Sequence, residues 1–413
     1  MGVIVLGLML LSLTIWLGLL CFRGQFWRLD QQLEITETQL ESLPVVCAVV
    51  PARNEAELIP TSLRSLLLQD YPGSFNVFLV DDRSTDRTAN FAEGVAHAVG
   101  KPQQLHIISG VSLPSGWSGK LWAVEQGIQN ASKFAPDYFF LTDADIEHDV
   151  SNLRRLVAKA EQENLDLVSV MVRLRCESFW EKLLIPAFVF FFQKLYPFCW
   201  VNNPNNPTAA AAGGSILISR EALERIGGIQ VIRQALIDDC TLAMAVKKSR
   251  GAREQESRGN KENNHAHNAQ YPIPSQGRIW LGLSSLTRSL RPYDSLATIW
   301  DMVARTAYTQ LNYSPLLLLG TLVGMPLIYL APPVCVILGA VWSNWAIAFT
   351  GLLGWLLMTF AYYPTIRFYK CSPWLAFSLP AIAFLYTLMT LDSALRHWQG
   401  RGGAWKGRVY PVK

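Results

Sequence analysis

The sequence predicts an α/β domain, with a mostly parallel sheet covered by helices on both faces, between membrane segments at the two ends of the chain. Three observations lead to this prediction. Short apolar runs with the composition of buried strands alternate with stretches of helical periodicity, and long uncharged stretches lie near both ends. Of the 413 residues, 50% are hydrophobic and only 16% are charged, so part of the chain is expected in lipid.

The amino-terminal stretch, residues 2–20, is uncharged and long enough to cross a bilayer as a helix. No basic residue precedes it and no small-residue cleavage site follows it, so we expect a retained anchor over residues 1–22 and not a signal peptide. Arg23 and Arg28 follow the stretch, and this bias of positive charge predicts that the next part of the chain is cytoplasmic. The expected location is therefore the cell (inner) membrane, with a multi-pass chain.

The carboxyl-terminal part is apolar again over residues 313–392. Residues 315–338 and 343–363 predict two crossings and residues 373–391 offer a third, so we expect two or three membrane helices. Three crossings would place the basic tail, residues 393–413, on the outer side, and the tendency of basic residues to stay inside disfavours this arrangement. The sequence leaves the number open.

The middle of the chain alternates between predicted strands and helices. The strands are VVCAVV (45–50), FNVFLV (75–80), LHIIS (105–109) and YFFLT (138–142). Between them, apolar residues recur at helical spacing, which predicts a parallel sheet with helical crossovers. Ligands bind beyond the carboxyl ends of such strands, so the residues that follow each strand are the candidates for function.

Acidic residues gather at these strand ends. Asp81 and Asp82 follow the second strand, and Asp143 and Asp145 follow the fourth with only Ala144 between them. Two carboxylates this close repel each other unless a cation or an array of donors neutralises them. Because Mg²⁺ and Mn²⁺ prefer oxygen ligands and commonly come with substrate phosphates, we predict a divalent cation at Asp143 and Asp145.

The cysteines and the net charge indicate the compartment and the kind of partner that we expect. The seven cysteines are scattered and none has metal-ligand spacing, which predicts free thiols in a reducing compartment. The net charge of +4 suits a domain lying against anionic lipid, and it gives no indication of nucleic acid binding. The sequence gives no information on protein partners.

The order of the motifs resembles family 2 glycosyltransferases of the GT-A fold, over residues 44–310. The motifs are PARNEAEL (51–58), DDRSTD (81–86), Gly119-Lys120, DAD (143–145), Gly213-Gly214-Ser215 and Asp238-Asp239. Flanking pieces are similar to the hopene-associated branch of that family, and more distantly to ceramide glucosyltransferases. They are GWSGKLWAVEQG (116–127), RIWLGL (278–283), SLRPYDS (289–295), MVARTAYTQL (302–311) and GRGGAWKGR (400–408). The resemblance implies transfer of a sugar from a nucleotide diphosphate sugar, a UDP-sugar, to a lipid acceptor.

The resemblance also implies roles for individual residues. Donor-binding roles fall on Pro51, Arg53, Glu55, Asp81, Asp82, Lys120, Asp143 and Arg305. The metal ligands are Asp143 and Asp145, and the acceptor segment is Gly213, Gly214 and Ser215. For Lys120, a solvated surface lysine is the alternative.

Inverting transfer needs a base for the acceptor hydroxyl. We assign Asp239 as this base, in the acidic pair that it forms with Asp238. The alternative is that the two acids only begin a helix favourably.

One segment departs from the family pattern. Many relatives carry Gln-x-x-Arg-Trp after the acidic pair, whereas residues 302–306 read MVART here. Arg305 is kept and remains a candidate phosphate ligand. Met302 and Thr306 replace the Gln and the Trp, which argues against a processive polysaccharide synthase. That enzyme remains an alternative function, and so does a membrane scaffold that has kept the GT-A fold without catalysis.

Two further stretches bear on the organisation of the domain. Residues 179–200 are apolar and aromatic, and we expect an interfacial helix that holds the acceptor side on the bilayer, with a core helix as the alternative. Residues 250–276 are polar without an apolar period, which predicts a disordered surface insertion. We do not interpret His265 and His267 within it as a metal site.

Overall fold

The computed structural model describes residues 2–35, 40, 42–261, 277–401, 404–405 and 408–409. The chain divides into two compact units. The helical unit comprises Met1–Asp30, Arg175–Cys199 and Pro292–Lys413, and the sheet unit comprises Gln31–Leu174 and Trp200–Arg291.

The helices and strands are numbered in chain order. The helices are α1 Gly2–Phe22, α2 Ile59–Leu67, α3 Thr88–Ala98, α4 Gly119–Ala131, α5 Asn152–Glu163, α6 Phe179–Leu195, α7 Phe198–Asn202, α8 Arg220–Arg225, α9 Asp238–Lys261, α10 Leu296–Ala304, α11 Ala307–Gln310, α12 Pro315–Met325, α13 Ala331–Val341, α14 Trp345–Phe368 and α15 Leu379–Trp398. The strands are β1 Val46–Ala52, β2 Phe75–Asp81, β3 Leu105–Ser109, β4 Tyr138–Leu141, β5 Ile146–Glu147, β6 Leu167–Arg173, β7 Ile216–Ser219, β8 Ile279–Ser289, β9 Ala404–Trp405 and β10 Arg408–Val409.

The sheet unit contains one mixed sheet with the strand order β3-β2-β1-β4-β7-β6-β8-β5. Strands β1 to β4 run parallel, β7 lies antiparallel between β4 and β6, and the short β5 is antiparallel to β8. All four strands predicted from apolar runs are present, and the predicted α/β class with a mostly parallel sheet is confirmed. Every residue of β1 is buried, because β2 and β4 flank it and helices cover the sheet.

Helix α4 packs closely on β1 and β2 because Gly127 has no side chain. A Cβ atom at Gly127 would lie 2.3 Å from Val49 Cγ1 and 3.1 Å from Val80 Cγ2. The close approach fixes the position of the whole helix on the sheet, including its first turn. Lys120 lies in that turn.

We expect Gly127→Ala to destabilise the protein, although alanine is the better helix former. Gly94→Ala in α3 is the matched control, because a Cβ atom at Gly94 would meet nothing within 4 Å. Both variants gain helix propensity of about 1 kcal/mol, and only Gly127→Ala adds the cost of overpacking, about 1–3 kcal/mol. Thermal unfolding in detergent should show a lower midpoint for Gly127→Ala than for Gly94→Ala. Equal midpoints would contradict the packing argument.

The helical unit contains four helical segments long and apolar enough to cross a membrane, among the residues that the structure describes. They are Gly2–Phe22, Pro315–Val341, Trp345–Phe368 and Pro373–Trp398. Three of them lie in the carboxyl-terminal part, at the upper end of the two or three that we predicted. A shared apolar core that includes Trp16, Phe190, Tyr329 and Tyr362 holds the unit together.

Helix α6 covers most of the stretch that we predicted to lie in the interface. Its residues Leu184, Ala187 and Phe190 are fully buried in the core of the helical unit, and Tyr386 donates a hydrogen bond to the Leu184 carbonyl at 2.9 Å. The structure therefore agrees better with the core-helix alternative. Because its apolar side chains pack on the apolar helices, this part of the predicted domain 44–310 falls in the helical unit.

Helix α9 runs further than we expected. It continues to Lys261, whereas we predicted disorder from residue 250 onward. Residues 250–261 contain no proline and several good helix formers, which explains why the helix can extend through a polar stretch. The remainder of the predicted insertion, residues 262–276 with His265 and His267, lies outside the described residues.

Candidate active site

A group of charged side chains surrounds a small cavity at the carboxyl ends of β1 and β4. The cavity has a volume of about 30 Å³. Its charged lining consists of Lys120, Asp143, Asp238 and Asp239, with Gly213 beside them, and apart from Thr142 the rest of the lining is apolar. The four charged residues and Gly213 come from four separate segments of the chain, and all five were predicted as site residues.

Lys120 joins two of the carboxylates. Its Nζ lies 2.9 Å from Asp143 Oδ1 and 3.1 Å from Asp238 Oδ2. Burial alone would lower the pKa of Lys120, but the charges of Asp143 and Asp238 outweigh burial and hold the pKa above its ordinary value. The side chain is only 22% exposed, so Lys120 is not a solvated surface lysine. Ser118 caps this end of α4, because its hydroxyl accepts a hydrogen bond from the Leu121 N–H.

Asp239 is held by backbone donors. Its Oδ2 accepts a hydrogen bond from Gly213 N at 2.9 Å, and its Oδ1 accepts one from Cys240 N at 2.7 Å. Burial, together with the charge of Asp238, raises the pKa of Asp239 to about 6 although Lys120 and the two N–H donors act in the opposite direction. A carboxylate with this pKa is suited to accept a proton near neutral pH.

The missing side chain of Gly213 leaves space between these groups. A Cβ atom there would lie 3.4 Å from Lys120 Nζ, 3.5 Å from Asp239 Oδ2 and 3.8 Å from Asp143 Oδ2. Gly214 and Ser215 do not line the cavity. Gly214 accepts a hydrogen bond from Thr142 Oγ1 through its carbonyl at 2.7 Å, and Ser215 is completely buried. Of the three predicted acceptor residues, the structure therefore places Gly213 among the charged groups.

Asp145 pairs with a different basic side chain, that of Arg291. Its Oδ2 lies 3.0 Å from Arg291 Nε, and Arg291 Nη2 lies 2.5 Å from Glu55 Oε1. Asp143 and Asp145 are thus neutralised by two different basic side chains, Lys120 and Arg291. The repulsion between the two acids, from which we predicted a metal ion, is therefore also relieved within the protein.

Arg291 is the site residue that sequence reasoning missed. It lies two residues after the end of β8, within the segment SLRPYDS that contributed to the family resemblance. The available signal was the place of this arginine in a segment of the resemblance, after the apolar stretch RIWLGL (278–283). Without the order of the strands in the sheet, this signal does not indicate which acids the arginine meets.

A divalent cation is compatible with these residues. Among the described residues there is no group of three His, Cys, Asp or Glu side chains placed to hold a metal ion. The carboxylates of Asp143 and Asp145 provide hard oxygen ligands, which suffice for Mg²⁺ or Mn²⁺ when substrate phosphates complete the coordination. Burial holds the pKa of Asp143 above its ordinary value, Asp145 acts in the same direction, and Lys120 opposes both.

The other predicted donor-binding residues meet at the ends of β1 and β2. Ala52 pairs with Asp81 in the sheet, which brings the segment after β1 next to the segment after β2. Arg53 Nη1 donates to the Asp82 carbonyl at 2.6 Å and lies 3.7 Å from the Asp82 carboxylate. Asp81 Oδ1 accepts a hydrogen bond from Ser84 N at 3.0 Å. These residues form one edge of the sheet unit, and Pro51 also lines the cavity.

Gly110 lets the segment after β3 approach this edge. A Cβ atom at Gly110 would lie 2.9 Å from the Asp81 carbonyl oxygen and 3.1 Å from Asp82 Cα. Arg305, the remaining predicted donor ligand, lies directly after α10 in the helical unit.

Comparisons with known proteins show that the chain is similar to glycosyltransferases. Residues 47–227, which run from β1 to beyond β7, match the family model described as glycosyl transferase family 2. The chain also resembles the solved structure of a mannosyltransferase from Pyrobaculum calidifontis in complex with GDP-Man and Mn²⁺. The TM-score is 0.52 and the sequence identity 16%, and the match covers 95% of this chain and 99% of that one. This likeness confirms the predicted GT-A fold with apolar helices at both ends.

Two relatives whose names state an activity also match part of the chain. The chain is 30% identical over 151 residues to an undecaprenyl-phosphate 4-deoxy-4-formamido-L-arabinose transferase from Enterobacter sp. (strain 638), a match that covers 35% of this chain and 42% of the relative. It is 27% identical over 209 residues to a beta-monoglucosyldiacylglycerol synthase from Synechocystis sp. (strain ATCC 27184 / PCC 6803 / Kazusa), a match that covers 49% of this chain and 40% of the relative. The chain thus spans about two-fifths of the length of each. The matched part is similar to the domains of family 2 glycosyltransferases.

Proposed function

We propose that this protein is a membrane-bound, metal-dependent, inverting glycosyltransferase. It moves one sugar from a nucleotide diphosphate sugar, a UDP-sugar, to the hydroxyl group of a lipid. The observation that carries the proposal is the partly buried carboxylate of Asp239, with its raised pKa of about 6, beside the Lys120 and Asp143 ion pair. A role in hopanoid or related lipid metabolism has only the resemblance of the flanking motifs as support.

The chemical step is a single displacement at the anomeric carbon of the sugar. The acceptor oxygen forms a bond to this carbon while the bond from the carbon to the diphosphate oxygen breaks, and the nucleoside diphosphate leaves with the electron pair. The proton of the acceptor hydroxyl passes to the carboxylate of Asp239. One displacement inverts the configuration at the anomeric carbon.

The leaving diphosphate needs positive charge. Lys120, at the amino-terminal end of α4, supplies a cation and the partial positive charge of a helix terminus. A divalent cation held by Asp143 and Asp145 would add Lewis-acid stabilisation of the departing diphosphate. We assign the nucleoside to the edge that Arg53, Asp81 and Asp82 form.

The lipid acceptor and the membrane location have separate support. Four segments of the chain are apolar and long enough to span a bilayer, and the names of both curated relatives contain a lipid, undecaprenyl phosphate or diacylglycerol. We place the protein in the cell membrane as a multi-pass chain with the sheet unit on the cytoplasmic side, where Arg23 and Arg28 follow α1. Met302 and Thr306 stand where the processive relatives carry Gln and Trp, which favours transfer of a single sugar.

The nature of the product tests this proposal. Purified protein is incubated with radiolabelled UDP-sugars and a lipid extract, and the mixture is partitioned between water and organic solvent. We expect the label in the organic phase, on a lipid that carries one sugar. A water-soluble product or a ladder of chain lengths would instead support the processive synthase.

A further inference from the structure

The end of β8 holds Asp145 through three contacts. Leu290 N donates to the Asp145 carbonyl at 2.8 Å, Ser289 Oγ lies 3.4 Å from Asp145 Oδ2, and Arg291 Nε donates to the same Oδ2 at 3.0 Å. The residue after Asp145, Ile146, pairs with Ser289 in the sheet. The backbone and the side chain of Asp145 are therefore both fixed by residues that lie almost 150 positions further along the chain.

Arg291 extends this contact to the segment after β1. Its Nη2 donates to Glu55 Oε1, and the side chains of Glu55 and Asp145 are only 7% and 13% exposed. A guanidinium group can bind two carboxylates at once because its donors form a rigid planar fork. Asp145 contacts Arg291 through Oδ2, and its Oδ1 makes no hydrogen bond to the part of the chain that the structure describes.

We propose that Arg291 is the positioning residue of the cation site: it fixes Oδ2 of Asp145, leaves Oδ1 for a divalent cation, and ties Asp145 to Glu55. The inference rests on the proposed function, in which Asp145 is a metal ligand. Residues that orient a ligand in this way commonly matter to metal affinity almost as much as the ligand itself.

Electrostatic repulsion between Arg291 and the metal ion would have the opposite effect on metal affinity. Arg291 is a cation next to a site for a second cation, so removal of its charge would tighten metal binding if repulsion were its main effect. If Arg291 positions Asp145, its removal weakens metal binding. The direction of the change therefore distinguishes the two roles without any measurement of activity.

The experiment measures Mn²⁺ binding to the full-length protein in detergent, with UDP present and no acceptor, from the electron paramagnetic resonance signal of free Mn²⁺. We expect Arg291→Met to weaken Mn²⁺ binding by about 10–100-fold. Arg291→Lys should also weaken it, because lysine keeps the charge but lacks the planar fork that holds Glu55 and Asp145 at once. Glu55→Gln should weaken binding in the parent protein and add nothing in the Arg291→Met background.

Arg288→Met is the matched control. Arg288 lies on the same strand, is 59% exposed and pairs with Glu147, so its loss should leave Mn²⁺ affinity unchanged. If Arg291→Met does not fold, as judged by its thermal unfolding, the Arg291→Lys result decides. Unchanged or tighter binding in the folded Arg291 variants would overturn the inference and leave the proposed function intact. A parent protein that binds no Mn²⁺ would overturn both the inference and the metal dependence.

Discussion

Replacing Asp239 with asparagine should lower turnover by roughly 10²–10⁴-fold while leaving the affinity for the nucleotide sugar nearly unchanged. Asparagine keeps the size of the side chain and can accept one of the two hydrogen bonds that Gly213 N and Cys240 N donate to the carboxylate. It cannot accept the proton of the acceptor hydroxyl. Initial rates at saturating acceptor, together with the binding constant for UDP, separate the two quantities.

The pH dependence of the reaction provides the control for this prediction. Because the pKa of Asp239 is about 6, its carboxylate is charged above this pH and protonated below it. In the parent protein, kcat/KM should therefore fall as the pH drops through about 6, and the residual rate of Asp239→Asn should lack this step. A loss of UDP affinity as large as the loss of turnover would place Asp239 in the nucleotide site and leave the base unassigned.

Removal of the divalent cation should abolish transfer. If Asp143 and Asp145 hold the ion together with the diphosphate of the donor, excess chelator should reduce the rate to background and added Mn²⁺ or Mg²⁺ should restore it. Asp145→Ala should be inactive while still folded, because Lys120 and Arg291 neutralise the acids but do not replace the Lewis acid. Rates with chelator and with each metal, measured on the same preparation, check this expectation.

Asp149→Asn is a suitable control for the loss of a nearby carboxylate. Asp149 pairs with Arg155 and accepts a hydrogen bond from Ser151 N, so we assign it a structural role. This variant should keep activity and the same sensitivity to chelator. Full activity of the parent protein in excess chelator would mean that Lys120 and Arg291 stabilise the diphosphate without a metal.

The first half of the sheet could be predicted because its signals are local. The apolar runs at β1 to β4 are contiguous in sequence, and the rule that ligands bind at the carboxyl ends of parallel strands identified Asp81, Asp82, Asp143 and Asp145 as candidates. Lys120 and Asp143, for which the family resemblance implied donor-binding roles, form an ion pair and line the same cavity.

The second half of the sheet depends on pairings between distant strands, which could not be predicted from the sequence. Strand β8 lies between β6 and β5, and only this arrangement brings Arg291 to Asp145 and Glu55. Nothing in the local sequence gives the register of strands so far apart. The prediction of a metal ion at Asp143 and Asp145 took a divalent cation as the neutralising group, whereas the basic side chains of Lys120 and Arg291 also reach these acids.

The helices were ambiguous for a different reason. An aromatic and apolar stretch such as residues 179–200 has a similar composition whether it lies at a bilayer surface or in the core of a membrane unit. The burial of Leu184, Ala187 and Phe190 distinguishes the two, and burial depends on the other helices of the unit. For residues 250–261, the absence of an apolar period led to a prediction of disorder, although their helix propensity is high.

The most direct test of the central claim is mass spectrometry of lipids after incubation with a panel of nucleotide sugars. Purified parent protein and Asp239→Asn are compared side by side with the same lipid extract and Mn²⁺. We expect one nucleotide sugar to give a lipid whose mass increases by a single sugar residue, with release of the nucleoside diphosphate, in the parent protein and only in traces in the variant. Equal product from both proteins would contradict the assignment of the base, and a parent protein that glycosylates no lipid with any donor would contradict the proposed function.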